Sequence, residues 1–331
     1  MFDIKTDKIF QEKKAAFDRY YEDVLRPKLE ENDKMRRRYF LMFIGLMLMA
    51  VIFYPLMLTA IIKSSSEDLS GLGIILGASG GLILLLKSPI YFFKKKAKNT
   101  IMTDFANFFG TFSYHHENYL PDNLLRESCL FGSYNTHSGD DYFTGVYKDV
   151  NITISEEFMQ DITVYTDEHY TGENIKLTRR NSKKKKIFKG ICILLTMNKN
   201  FKGRTVVLED KGIFNLFKHI PGLQRVKLED MYFEDIFEAY SSDQIEARYL
   251  LTTAFMERML RLTELYEGKT IRFSFNDNRL LLAVPTKQDM FEACSFFRSN
   301  VNKKKIDKVF EQFYTVFSVV DVLKLNQKIG M

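Results

Sequence analysis

YFLMFIGLMLMAVIFYPLMLTAII, residues 39 to 62, contains no charged side chain. At about 1.5 Å of rise per residue, a helix of this length crosses a hydrocarbon core of about 30 Å. The polar stretch KSSSEDLSG follows, and then LGIILGASGGLILLLKSPIYFF, residues 72 to 93, has the length of a second span with one charge, Lys87. That lysine sits in the last third, where its aliphatic stem can carry the ammonium to the headgroups. A soluble core around two such segments would have to be unusually large, so the reading is a transmembrane hairpin with helices over 39–62 and 72–93. Pro55 is tolerable inside it, because neighbouring helices can meet freed backbone groups. No small-residue cleavage site follows the first span, which sets it apart from a removable signal peptide.

The flanks orient the hairpin. Arg36, Arg37 and Arg38 precede the first span and Lys94, Lys95, Lys96 and Lys98 follow the second, whereas the connector has Lys63 against Glu67 and Asp68. The positive-inside bias then puts both termini in the cytoplasm. Gly73, Gly77 and Gly81 repeat every fourth position, the small-residue spacing that lets helices approach closely in lipid, either within the hairpin or between copies. Apart from Lys87 the spans lack polar residues suited to a transport path.

On either side the chain reads as soluble. It has 331 residues, 46% hydrophobic and 27% charged, with a net charge of +6, which is ordinary for folded protein. Residues 1–38 are expected to form a helical segment, with Phe10, Phe17, Tyr21 and Val24 on one stripe and Pro27 interrupting it near the end. Residues 99–331 are expected to form a cytoplasmic domain, giving an α+β fold with a mainly antiparallel sheet. DYFTGVYKDVNITISEE alternates as two short strands. Residues 161 to 187, with Gly172 and RRNSKKKK, read as a solvated loop whose Lys183, Lys184 and Lys185, with the arginines and lysines flanking the spans, are candidate contacts for anionic lipid headgroups. The lack of interleaved aromatics there weighs against nucleic acid.

Residues 188 to 197 and 204 to 209 read as strands joined by a turn at Asn198, Asn200 and Gly203. RVKLE is another short strand. Thr253 is the expected N-cap of a helix carrying Phe255, Met259, Leu262 and Tyr266, which Gly268 ends. TIRFSF and RLLLAVP form a hairpin, and Ile306, Val309, Phe310, Phe313, Phe317 and Val320 mark a final amphipathic helix.

LEDMYFEDIFEAYSSDQIEARYLL, residues 228 to 251, holds seven carboxylates. Asp243 followed by Glu246 has the spacing of a capping box at a helix start, and Arg248 is too close in sequence for an ideal helical ion pair with either. The alternative is an enzyme pocket built from Asp243, Glu246 and Arg248. His115, His116, His137, His169 and His219 lack metal-ligand spacing, and Cys129, Cys192 and Cys294 lack a CxxC or disulfide framework. No metal, cofactor or catalytic residue is therefore assigned from these residue types.

The string Leu228, Glu229, Asp230, Phe233, Glu234, Tyr240, Ser241, Asp243, Glu246, Ala247, Arg248 and Leu251, with FMERML at 255–260 and VVDVLKLNQKI at 319–329, resembles a family of bacterial membrane proteins known as a domain of unknown function. Ala239 and Thr253 stand where that family commonly has valine and proline. The resemblance implies a two-helix hairpin of the bacterial inner membrane ahead of a cytoplasmic α+β domain, and a LemA-type membrane protein as partner; a homo-oligomer is what the glycine spacing offers. The hairpin and the basic runs beside it point to a membrane-anchored scaffold or binding module.

Overall fold

The computed structural model describes residues 8–64, 70–171, 175–210, 220–268 and 270–325. Glu67, Asp68, Gly172, His219 and the tail beyond Leu325 lie outside them, as do the His169 side chain and the surroundings of Gly73. The chain divides into two compact units, one of Met1–Glu12, Ala106–Phe291 and Phe310–Met331, the other of Lys13–Phe105 and Glu292–Val309.

The second unit is built on long helices. Helix α1 (Lys8–Tyr20) leads through one π turn, Tyr21–Leu25, into α2 (Arg26–Ser64), and α3 (Ser70–Asn107) returns. Pro27 explains the π turn: its ring crowds the carbonyl of residue 23 and it has no N–H. The Arg26 N–H accordingly reaches back to the carbonyl of Tyr21. Partners along α2 and α3 run in opposite directions, with Lys28 on Asp104 at 2.8 Å, Asn32 on the Ala97 carbonyl at 3.5 Å, Tyr39 against Phe93 at 6.1 Å and the Tyr54 hydroxyl on Ser79. The pair is an antiparallel hairpin that runs through Pro55 and Pro89 as continuous helix.

Burial along these helices is inverted relative to a soluble bundle. Leu25, Leu29, Asn32 and Asp33 near the start of α2 are buried, whereas Leu41, Leu48, Val51, Ile52 and Phe53 are exposed. In α3, Phe93, Ala97, Ile101, Met102 and Phe105 are buried, while Leu76, Ile83, Leu84 and Leu85 are exposed. Both helices are long and apolar enough to cross a membrane, and the most apolar 18-residue stretch is 0% buried in the first and 11% in the second.

Residues 292–309 join the buried ends of the helices. Phe296 lies 5.9 Å from Phe43 and 5.7 Å from Phe93, Lys98 pairs with Glu292 at 2.5 Å, and the Asn300 N–H donates to Asp33 at 3.1 Å. Lys303 pairs with Asp18 at 2.5 Å and lies 4.8 Å from the Tyr21 ring. The N-terminal stripe thus covers its own chain, with Phe17 and Tyr21 buried.

The first unit carries a nine-stranded sheet in which all the described pairings are antiparallel, in the order β1-β2-β3-β4-β9-β8-β5-β7-β6. Its elements in chain order are β1 (Thr111–His115), α4 (Asp122–Glu127), β2 (Thr136–Tyr147), β3 (Val150–Thr171), β4 (Ile175–Thr196), β5 (Thr205–Glu209), β6 (Gln224–Val226), α5 (Met231–Glu234), β7 (Phe237–Ser241), α6 (Gln244–Leu250), α7 (Thr253–Leu265), β8 (Arg272–Asn276), β9 (Arg279–Pro285) and α8 (Lys303–Leu323). The α+β expectation holds. The aromatic face of α8 packs on the sheet, with Phe313 at 5.1 Å from Phe143 and Phe317 at 5.0 Å from Phe112. Each such buried phenylalanine contributes about 2–3 kcal/mol.

Three local expectations need correction. Residues 161–171 and 175–187 form a long two-stranded ribbon, not a loop, with Asp161 opposite Lys185, Thr163 opposite Lys183 and Tyr165 opposite Asn181. Both its faces meet water, so no apolar alternation was required and none marked it. Strands 188–197 and 204–209 do not pair with each other: β4 lies against β9, and β5 between β7 and β8. The N-cap of α7 is Thr252, whose hydroxyl accepts from the Phe255 N–H at 3.3 Å. Gly268 does end that helix, at φ +71°, where a side chain would be strained.

Asp33 supplies a test of the helical unit. It accepts from Arg36 at 2.7 Å as well as from Asn300. Burial works to raise its pKa, but the bonds from Arg36 and Asn300 outweigh this and hold it below the usual value. Such a carboxylate contributes stability above its unfolded pKa of about 4, which is lost as pH falls through the lower folded value. Asp33→Asn is expected to cost about 2 kcal/mol at neutral pH. In thermal melts of the detergent-solubilised chain, the gap from wild type should narrow towards strongly acidic pH.

Candidate functional site

The acidic motif is occupied with backbone. Asp230 accepts from the Phe233 N–H at 3.0 Å and caps α5, and Glu234 accepts from the Leu228 N–H at 2.8 Å. Asp243 caps α6, accepting from Ile245 at 3.0 Å and Glu246 at 2.9 Å. Glu246 does not complete the capping box. Its two oxygens accept from the N–H groups of Lys202 at 3.0 Å and Gly203 at 2.7 Å, while the Asp243 N–H goes to the Ser241 hydroxyl. A side chain at Gly203 would come within 2.9 Å of Asp243 Cβ, so the turn closes on the helix start only because that position is bare.

The rest of the motif serves packing. Phe233 and Tyr240 are buried, with the Tyr240 hydroxyl on Glu238 at 2.7 Å, and Glu229 is exposed. Arg248 is exposed and makes no ion pair among the described residues, so it does not converge with Asp243 and Glu246.

A different group of carboxylates does converge. The ladder between β2 and β3 shifts register between Asp140 and Phe143, a bulge that places Asp141 at φ 54°. The Asp141 carboxylate is buried, accepts from the Tyr114 hydroxyl and lies 3.5 Å from His116 Nδ1. One ligand atom each from His116, Asp140 and Asp141 lies within 4.8 Å of the others, a donor set that suits a divalent cation.

Asp140 also opens onto a cleft of about 300 Å³ with Glu156, Glu157, Lys189 and Asp289. Most of that charge has a local use: Glu157 bonds His137 Nε2 at 2.6 Å and the Leu120 N–H at 2.9 Å, Glu156 accepts from the Met290 N–H, and Lys189 pairs with Asp289 at 2.7 Å. The recess is electronegative and favours a cation. It escapes a motif search because His116 and Asp140 come together through strand pairing, with His115 opposite Tyr142.

The cationic candidates fall in separate places. Arg36 and Arg37 both reach Asp33, at 2.7 and 3.3 Å, leaving Arg38, Lys94 and Lys96 as exposed cations beside the apolar stretches, and Lys95 lies 3.4 Å from the Tyr91 hydroxyl. Lys183, Lys184 and Lys185 are exposed on the ribbon and form no ion pair among the described residues. A side chain built at Gly77 or Gly81 would meet nothing within 4 Å, so that face of α3 is uncovered. All three cysteines are free, and burial pushes the Cys192 thiol pKa well up, which makes it inert.

Residues 186–325 match a protein family described as "Protein of unknown function (DUF3137)". No curated protein matches the chain. Among solved structures, the mycobacterial trehalose monomycolate transport factor A aligns with 71% of this chain and 99% of its own, at 11% identity and a TM-score of 0.33. A likeness that slight carries no argument about fold or function.

The roles within the acidic motif separate by mutation. Asp243→Ala should cost about 1 kcal/mol through loss of the cap, and Glu246→Ala about 1–3 kcal/mol by stranding two backbone donors. Arg248→Ala should stay within about 0.5 kcal/mol of wild type. Denaturant melts of the three variants check the order.

Proposed function

We propose that the protein is a membrane-anchored binding module, in which α2 and α3 cross the bilayer as a hairpin and hold the remainder at the cytoplasmic surface. The observation that carries this reading is the inverted burial of the two helices: their most apolar stretches are the parts that no protein covers. In water those residues would form an exposed apolar surface far beyond what a soluble chain keeps. In lipid they need no cover.

Other features support the same placement. Tyr39, Phe40, Phe43, Tyr91, Phe92 and Phe93 gather where apolar gives way to basic sequence, as interfacial aromatic rings do. The Tyr54 hydroxyl and Ser79 satisfy each other between the spans. Arg38, Lys94, Lys96 and the ribbon lysines are the proposed contacts with anionic headgroups, each contributing about 1 kcal/mol close to the surface. The open face at Gly77 and Gly81 is the proposed contact for a second copy or a LemA-type membrane protein. An enzyme built on Asp243, Glu246 and Arg248 gains no support, since both carboxylates are committed to backbone N–H groups.

The topology is testable on the full chain with Cys129, Cys192 and Cys294 changed to alanine. An impermeant maleimide should label Ser66→Cys only from the outer side of the membrane. Lys304→Cys should react only in inverted vesicles. Labelling of both positions from one side would overturn the hairpin.

A further inference from the structure

Arg272, at the start of β8, is a partly buried cation with no close ion pair among the described residues, the Glu209 carboxylate acting on it only at longer range. One of its nitrogens donates to the Leu130 carbonyl at 3.0 Å. Its guanidinium carbon lies 6.0 Å from the Phe131 ring and 5.8 Å from the Phe188 ring, within reach of a cation–π contact with either. Glu209 shares the neighbourhood, and Thr270 Oγ1 donates to its carboxylate at 2.8 Å. Burial lowers the guanidinium's pKa, and the Glu209 carboxylate offsets this only in part. Arginines taken out of water are ordinarily paired, because an isolated buried charge costs several kcal/mol.

The group opens into a cavity of about 580 Å³. Phe131, Ile187, Leu208 and Ile220 contribute apolar wall, and Lys185 and Lys186 reach it from the foot of the ribbon. Both lysines are exposed and free of ion pairs among the described residues. Arg126 also lines the cavity, but it is held by Asp122 at 2.6 Å and stacks 4.2 Å from the Tyr134 ring. The volume falls in the range of small-molecule sites, which are mostly apolar with a few convergent polar groups. A rigid planar donor fork at one end matches a carboxylate or phosphate.

We propose that this cavity binds a single-chain anionic amphiphile, with its carboxylate or phosphate head on Arg272, Lys185 and Lys186 and its apolar chain along Phe131, Ile187, Leu208 and Ile220. The two halves of the site ask for the two halves of such a molecule. A bare anion would leave the apolar wall wet, and a neutral apolar ligand would leave Arg272, Lys185 and Lys186 with Glu209 as the one carboxylate lining the cavity among the described residues. The site lies wholly within the sheet-bearing unit, so it stands independently of whether α2 and α3 cross a membrane.

The test is photo-crosslinking of the full-length chain in membranes with a diazirine-bearing fatty acid, mapped by peptide mass spectrometry. Labelling is expected on peptides containing Phe131, Ile187 or Ile220. It should fall about tenfold in the double variant Lys185→Gln, Lys186→Gln, whose exposed side chains leave the fold intact, and at least as far in Arg272→Gln. Unlabelled dodecyl phosphate should compete, and inorganic phosphate at the same concentration should not. Label confined to α2 and α3, or cavity label indifferent to the lysine substitutions, would overturn the site. Equal competition by inorganic phosphate would overturn the amphiphile in favour of a simple anion.

Discussion

A helix must bury its apolar side chains or leave them against a solvent that tolerates them, and in α2 and α3 the same helices do both. The ends of this hairpin are packed: Phe17, Leu25, Leu29, Phe93, Phe105 and Phe296 are buried, Asp33 ties Arg36 to Asn300, and Lys98 meets Glu292. Between Phe43 and Pro89 no described residue is buried, although the sequence there is the most apolar in the chain. At about 1.5 Å per residue the 39 residues of α2 measure about 58 Å, roughly twice a hydrocarbon core, so one helix has length for both a span and a packed stalk. The rest of the helical unit depends on this division, because residues 292–309 fold onto the packed portion.

Charge in the sheet-bearing unit is used in three physically distinct ways. Asp230, Glu234, Asp243 and Glu246 each accept from backbone N–H groups, which closes turns and caps short helices. Asp140, Asp141 and His116 gather at a bulge, and Glu156 and Glu157 border the recess beside them. Arg272 is the reverse case, a guanidinium held by ring faces and one carbonyl.

Sequence patterning marks the elements whose burial is one-sided. The apolar spans, the α7 stripe, the β8–β9 hairpin and the α8 face are all legible, because each presents a run or a period set by what it touches. The ribbon is not, since strands with water on both faces have no alternation to display, and RRNSKKKK looks like a loop. Strand order is equally hidden: β5 follows β4 in sequence but pairs with β7 and β8, a choice made by long-range contacts. Asp243 announces its cap through local spacing, whereas the task of Glu246 at Lys202 and Gly203 lies 44 and 43 residues away. The His116 cluster and the Arg272 cavity draw on several strands apiece, and no spacing in the chain records them.

The central claim is that lipid covers what protein leaves bare on α2 and α3. Alkaline carbonate washing of membranes carrying the full chain tests it most directly, because it strips proteins held by charge or by a partner and spares those embedded in the hydrocarbon core. Retention of the chain in the membrane pellet is the expected result. Release into the supernatant would contradict the hairpin.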